Sequence, residues 1–518
     1  MKLLTFCGTK VVTILLVLLL AAPAFAQLGG TNPPTQGSRA NELPLSGTNG
    51  QSGAVGVEQV PVAGTTASVN TLNTSIQASG PFTGSVNGSA KRPFSGNLSF
   101  MDAIGRGLDY NLGTEGVAQA IRQAQGQTKV ARSSLLPNLS ATASETEQQT
   151  NLTVAGIRFN TSVAALSIPT IVGPFNYFDL RAHLSQTIAD VTSWKNYRSA
   201  QENARSIDFT MKDARDLVVL AVGGSYLQVI AAKQRVVSEQ AQLATAAALF
   251  DQASQQRAAG LLSQTDVNRS RIQMLTERER LETLENDLSK QKINLARMIG
   301  LPANDEFELT DVIPFSPISD IDVDSALRDA YEHREDLKAA DAQVRAAQLA
   351  SSAARGERVP SLAVNADYGA NGINPSQSHG TFSATATLTV PIWLGGRTEG
   401  DIQQAHAALT QRKAELESLR SKIESDVRSA YLDMEAAANQ VAVAGDNLKV
   451  SKENLELTRQ KLGVGVSDNV EVIQAQQAVA DAQLDLINSE LAHNVAKLSL
   501  ARAIGDAEER LPKLMNQQ

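Results

Sequence analysis

Phe382-Ser-Ala-Thr-Ala-Thr-Leu-Thr-Val390 decides the fold. Phe382, Ala384, Ala386, Leu388 and Val390 alternate with Ser383, Thr385, Thr387 and Thr389. One apolar face and one small-polar face at a period of two describe a β-strand between an apolar phase and water. Pro391 and Gly395-Gly396 end the strand, and a proline-free helical tract follows from about Asp401 to Leu462. Within that tract Val427, Met434, Val441, Leu448, Leu455 and Leu462 recur at heptad spacing, with Ala430, Ala437 and Ala444 following the first three. Such a seam, one large column beside one small, belongs to a long coiled coil.

The same combination occurs earlier in the chain. Val222, Val229, Val236, Leu243 and Phe250 repeat the register 205 positions before Val427 and its successors. Tyr226-Leu227 answers Tyr431-Leu432, and Leu295-Ala-Arg-Met-Ile-Gly300 answers Leu500-Ala-Arg-Ala-Ile-Gly505. Further upstream the offset is 223, so that Leu136-Pro137-Asn-Leu139 matches Val359-Pro360-Ser-Leu362. Two copies of one unit, 98–300 and 323–505, therefore make up most of the chain, joined by a proline-containing linker at 301–322 and followed by a tail at 506–518.

Ahead of the repeats, 1–26 reads as a secretory signal peptide, with Lys2 and Lys10, a short apolar run and Ala24-Phe25-Ala26 at the cleavage position. The only cysteine, Cys7, lies inside it. The formal charge of −8 is a poor match for nucleic acid. Residues 27–97, rich in Gly, Ser, Thr, Asn and Pro, read as a disordered extension.

Each copy then runs in the same order: a first helix (about Phe100–Ser133 and Val323–Ala354), a proline, a strand, a loop, a return strand, a long helix, a Gly-containing turn and a closing helix. The return strand of the first copy sets Phe178, Leu180, Ala182 and Leu184 against Asp179, Arg181, His183 and Ser185. Each long helix, about 60–65 residues, spans about 90–100 Å, which two helices of about 33 residues match end to end. The expected packing sets long helices beside stacked pairs of short ones.

Four strands with one apolar face need a cover that no other element supplies. Lipid can cover that face while the polar face lines water. An open four-stranded sheet leaves unsatisfied backbone groups at its edges in lipid, so it must close with copies of itself. Three copies would give twelve strands, an even antiparallel number. Aromatic residues make up 4% of the chain, too few for a large globular core and in keeping with coiled coil. The five histidines show no metal-ligand spacing, and no nucleophile motif or phosphate loop stands out, so neither catalysis nor a cofactor is expected.

The duplicated order, Val390-Pro-Ile-Trp-Leu-Gly-Gly-Arg397 entering the long helix, the Tyr-Leu pairs and the Gly turns resemble the TolC-like family of outer-membrane efflux channels over about residues 98–505. The resemblance implies a mainly α fold with membrane β: a long coiled-coil helical tunnel plus a transmembrane β-barrel completed by trimerisation, four strands per chain. It further implies an outer-membrane exit channel of a Gram-negative bacterium, extending into the periplasm. Its partners would be a periplasmic adaptor and an inner-membrane pump of a tripartite efflux or type I secretion system. A periplasmic adaptor or a structural coiled-coil protein is the alternative; an adaptor would carry one hairpin flanked by lipoyl-like segments.

On spacing alone, Gly260 and Gly465 read as helix-ending glycines. The resemblance assigns the triplets Ala259-Gly260-Leu261 and Val464-Gly465-Val466 to adaptor docking. It also implies a periplasmic gate with acidic rings, for which Asp266 and Glu471 are the matching carboxylates. Where well-known relatives hold the tip with a Tyr and an Arg, this chain has Leu462 and Ser467, and Gln474 replaces a second acidic position. Asp468 is a further candidate for the gate.

Overall fold

A computed structural model of the protein describes residues 53–62, 68–86, 94, 96–154, 156, 170–303, 306–311, 316, 322–463, 469–505 and 507–514. In chain order the elements are β1 (Val55–Val62), β2 (Thr71–Ala78), β3 (Asn97–Leu98), α1 (Phe100–Tyr110) and α2 (Leu112–Ser133). Next come β4 (Asn138–Asn151), β5 (Ile171–Ala189), α3 (Val191–Ala258), α4 (Gln264–Met298) and β6 (Glu308–Leu309). The second copy follows with α5 (Val323–His333), α6 (Glu335–Gly356), β7 (Ser361–Gly372), β8 (Ser378–Thr389), α7 (Arg397–Gly463) and α8 (Asn469–Ile504), before α9 (Ala507–Leu514). The chain divides into two compact units, one holding the four long strands and the other most of the helices.

In the strand unit the sheet is antiparallel throughout, in the order β4-β5-β7-β8. Its register turns the sequence alternation into rows. Leu139, Leu184, Ala366 and Ala384 form one apolar row, and Ala141, Ala182, Tyr368 and Phe382 the next. Leu139 is 75% exposed and Phe382 81% exposed, so among the described residues nothing covers this face. The opposite face carries the row Ser140, His183, Asp367 and Ser383. There His183 stands between Thr142 (Nε2 to Oγ1, 3.1 Å) and Asp367 (Nδ1 to Oδ1, 2.5 Å). Strands β4 and β8 each leave one edge without a partner among the described residues. Both strands of the first copy are longer than their alternation indicated, leaving a shorter loop than Gln148–Asn176.

In the helical unit the heptad seam is buried. Val427, Met434, Val441 and Leu448 are buried, as are the small residues Ala430, Ala437 and Ala444. Val222, Val229 and Val236 of α3 are buried as well, the first two joining Phe100, Tyr226, Leu295 and Leu498 in one apolar cluster. Helix α3 is long and apolar enough to cross a bilayer, yet most of its apolar stretch is buried against protein. Ser199 and Ser206 of α3 donate hydrogen bonds to the carbonyls of Ala346 and Ala339 on α6, at 2.9 and 3.0 Å. A long helix thus lies against a short helix of the other copy, with small side chains admitting close approach.

Four sequence expectations are corrected. Each first helix is broken, at Asn111 in one copy and at Arg334 in the other, both in extended backbone. These are equivalent positions, and a buried polar side chain fills each break. Asn111 Nδ2 donates to the carbonyls of Phe82 (3.0 Å) and Met298 (3.2 Å). Arg334 donates to Asp336 (2.6 Å) and Asp426 (3.2 Å). Second, the stretch 27–97 is not wholly disordered. Strands β1 and β2 form a hairpin that packs on α8, where the Val69 N–H donates to Asp485 Oδ2 at 3.0 Å. Gly224 of α3 is its keyhole: a Cβ there would lie 1.4 Å from Ile76 Cδ1. Third, the linker contributes β6, which pairs in parallel with β3. Fourth, the tail contains α9, whose Glu508 accepts two hydrogen bonds from Arg215, at 2.6 and 2.8 Å. The signal peptide at 1–26 lies outside the described residues.

Candidate docking tips and gate residues

Helices α3 and α4 meet at the first tip, whose geometry follows from three residues. Gly260 adopts φ +77°, a conformation that glycine enters without steric cost. Its N–H donates to the Arg257 carbonyl and that of Leu261 to the Gln256 carbonyl, both at 2.9 Å. This pair of bonds is the Schellman arrangement, which satisfies carbonyls left over at a helix end. In that arrangement the residue at the place of Leu261 commonly packs back on the last turn. Here Leu261 is 78% exposed instead. A Cβ on Gly260 would meet nothing within 4 Å, so the space beside the backbone is open. Ala259 is exposed too, and the triplet presents a small, apolar, accessible corner.

Asp266 has local work. Ser263 caps α4 by accepting from the Asp266 N–H (3.2 Å), and its hydroxyl donates to Asp266 Oδ2 (2.6 Å). Arg269 stands 3.5 Å from the other carboxylate oxygen. The first bond is that of a serine N-cap, and the second ties the Asp266 carboxylate to the cap hydroxyl, a pairing signalled by the Ser263-to-Asp266 spacing. Glu471 lies in the first turn of α8 and is exposed, where the helix dipole favours a negative charge. Leu462 is half-buried in the last turn of α7. Val464, Gly465, Val466, Ser467 and Asp468 lie outside the described residues.

The structure also brings together residues that sequence reasoning had not paired. A cleft of about 350 Å³ near the tips is lined by Arg269, Ile272 and Gln273 of α4 and by Val470, Ile473 and Gln474 of α8. The two starts of the closing helices therefore face each other, with Gln474 on this shared wall. Away from the tips, α3, α4, α7 and α8 border a larger cleft of about 820 Å³. Its wall is rich in amides, including Gln242, Gln273, Gln477 and Gln483, with Lys452 and Arg459 from α7 and Glu277 and Glu490 from α4 and α8.

Glu277 meets a second buried carboxyl there. Glu239 is pushed up to about 7 by burial and by its hydrogen bond with Glu277, against the pull of Arg280, whose Nε lies 3.5 Å away. Out of water and beside a second carboxyl, the neutral form of Glu239 is favoured. No sequence signal marks this pair, because Glu239 and Glu277 read as ordinary coiled-coil surface residues until the hairpin folds.

Comparison with known proteins places this geometry. The pyoverdine export outer membrane protein OpmQ of Pseudomonas putida is 26% identical over 299 residues, covering 56% of this chain and 61% of that protein. The chain thus spans about three fifths of the length of that relative. The outer membrane protein TolC of Salmonella enteritidis is 22% identical over 391 residues, 73% of this chain and 76% of its own. Among solved structures, the CmeC outer membrane channel of Campylobacter jejuni gives a TM-score of 0.69 at 14% identity, over 80% of this chain and 89% of that one. The shared fold is a helical tunnel joined to the strands of a membrane β-barrel. A model of the outer membrane efflux protein family matches residues 116–301 and 326–506, one segment in each repeat, and the chain belongs to that family.

Proposed function

We propose that this chain is the outer-membrane exit duct of a tripartite efflux pump or type I secretion system in a Gram-negative bacterium. Three copies close one barrel, and substrate passes through passively, driven by an inner-membrane pump. The observation that carries the reading is the sheet: four antiparallel strands whose apolar face and two edges are left uncovered by the described residues. In water such a sheet exposes both its apolar face and its edges; in a bilayer, lipid and sister copies satisfy both. A structural coiled coil would have no use for it, and a periplasmic adaptor would not carry the arrangement twice.

In this reading 1–26 directs export, and the folded repeats are 98–300 and 323–505. Ala259-Gly260-Leu261 and Val464-Gly465-Val466 dock the periplasmic adaptor, the first through its open backbone and exposed Leu261. Asp266, Leu462, Ser467, Asp468 and Glu471 form the periplasmic gate, with Glu471 supplying the acidic ring and Asp266 mainly accepting from Ser263, the cap of α4. Conductance of the purified full chain in a planar bilayer tests this. Cation-preferring channels are expected, with the preference weakened by Glu471→Ala. A protein that inserts but passes no current contradicts the duct, and unchanged selectivity in the variant removes Glu471 from the gate.

A further inference from the structure

The cleft of about 820 Å³ bordered by α3, α4, α7 and α8 holds chemistry that passive conduction does not use. Glu277 of α4 lines its wall and is 4% exposed. Its Oε1 accepts a hydrogen bond from Gln273, while no N–H or alcohol hydroxyl among the described residues reaches its Oε2. Glu239 of α3, beside it, is 2% exposed. One oxygen of Glu239 faces Arg280 Nε at 3.5 Å, and its Oε1 has no such donor among the described residues either. One guanidinium therefore serves two buried carboxyls.

A buried carboxyl oxygen without a donor is unfavourable, and more so once the group is charged. A proton offers one remedy, and burial with the contact to Glu277 does push the Glu239 carboxyl up to about 7. A cation offers another, since it lets both groups ionise. The wall decides which kind of cation. No group of three or more His, Cys, Asp or Glu that could hold a metal ion occurs among the described residues, whereas calcium takes roughly six to eight oxygens. A primary ammonium needs less, because one nitrogen brings three N–H donors to the free oxygens of Glu239 and Glu277. Further along, Leu455, Leu486 and Ile487 offer apolar surface to methylenes. Gln273 and Gln477 donate an amide N–H to Glu277 and Asp481, which keeps their carbonyl oxygens available to other donors.

Six charged side chains line the cleft among the described residues: Lys233, Glu277, Asp311, Lys452, Arg459 and Glu490. Their signs balance in number, so burial decides between them. Lys233 is paired with Glu308 at 3.4 Å, and Asp311 already accepts from Phe100 and Tyr226. Lys452 and Arg459 are exposed, and water screens them. Glu277 is buried, and burial also pushes the Glu490 carboxyl up. A charge acts more strongly where water is excluded, so the inner wall favours a positive guest.

We propose that this cleft binds an organic ammonium ion of the polyamine class, its primary ammonium on Glu239 and Glu277 and its methylene body along α7 and α8. The site lies within one chain. Its failure would leave the exit-duct reading standing, and a chain without conductance would leave the site standing.

Isothermal titration of the detergent-solubilised full chain with spermidine tests it. Saturable binding at one site per chain is expected. Affinity should rise about tenfold from pH 6 to pH 8, because Glu239 gives up its proton through about 7 while the amines stay charged. At pH 7 the heat should differ between phosphate and Tris, which take up the released proton with different enthalpies. Glu277→Gln should weaken binding about tenfold or more at pH 8. Glu239→Gln should weaken it too, and should remove both the pH dependence and the buffer dependence; this second variant decides if Glu277→Gln lowers the melting temperature. Glu471→Ala, at the tip, should bind as wild type does. Loss of binding in Glu471→Ala with none in Glu277→Gln places the guest in the acidic ring and overturns the site. Absent binding, binding indifferent to both glutamine variants, or displacement by equimolar magnesium chloride overturns it as well.

Discussion

Gly260 and Leu261 divide the labour of the first tip. Gly260 is required by the backbone, because φ +77° costs other residues about 1 kcal/mol or more. Leu261 packs on little among the described residues, being 78% exposed at a position that commonly packs inward. Leu261→Glu should therefore leave the melting temperature unchanged. It should weaken adaptor binding, measured by titration calorimetry with the cognate adaptor, by about tenfold or more, since a buried leucine contributes ~1.5–3 kcal/mol. Unchanged affinity would leave the tip with a capping role only. Glu239 carries a different prediction. Its folded pKa is raised from 4.5 to about 7, so the protonated pair stabilises the fold at low pH. That contribution is lost as pH rises through about 7. Wild-type melting temperature in detergent should accordingly fall between pH 6 and pH 8, and Glu239→Gln should flatten the fall. A steeper slope in the variant would show that Glu239 is not the group whose pKa folding raises.

Elements repeat a rule that sequence can reveal only in part. The heptad seam and the period-two strands are legible because each residue reports its face directly: Val427, Ala430 and Met434 are buried, and Phe382 and Leu388 are exposed on the apolar side of the sheet. The breaks at Asn111 and Arg334 are not legible. No glycine or proline occupies either position, and distant residues help hold each open: Phe82 and Met298 for Asn111, and Asp426, beside the nearby Asp336, for Arg334. The β1–β2 hairpin was hidden for the same reason. Its strands are short, Pro61 interrupts the alternation, and the socket for Ile76 is the bare backbone of Gly224, far along the chain. Gly224→Val fills that socket and should free the hairpin while the helices persist. Hydrogen exchange in Thr71–Ala78 is expected to quicken about tenfold, the effect of losing ~1–2 kcal/mol locally. Equal protection in wild type and variant would mean that Ile76 does not anchor the hairpin.

At the scale of the molecule, the duplication explains the architecture and the departures from it explain the site. Both copies place a positive-φ glycine, Gly300 or Gly505, against the break in a first helix, where a Cβ would meet Tyr110 or the Arg334 backbone. The breaks are filled differently, by a neutral amide in one copy and an ion-paired guanidinium in the other. The tips were partly legible: the glycines located the turn, but only the fold showed Ser263 as the cap and set Gln474 opposite Arg269 and Gln273. The case for an oligomer rests on what the sheet lacks among the described residues, a covering layer and closed edges. That inference carries the whole functional reading, since lipid contact, conduction and the tip assignments all depend on it. The protein mass of the detergent-solubilised particle, with detergent contrast-matched in light or neutron scattering, tests it most directly. Three chains per particle, with none released into detergent-free buffer, is the predicted result; a single chain that remains soluble without detergent would contradict it.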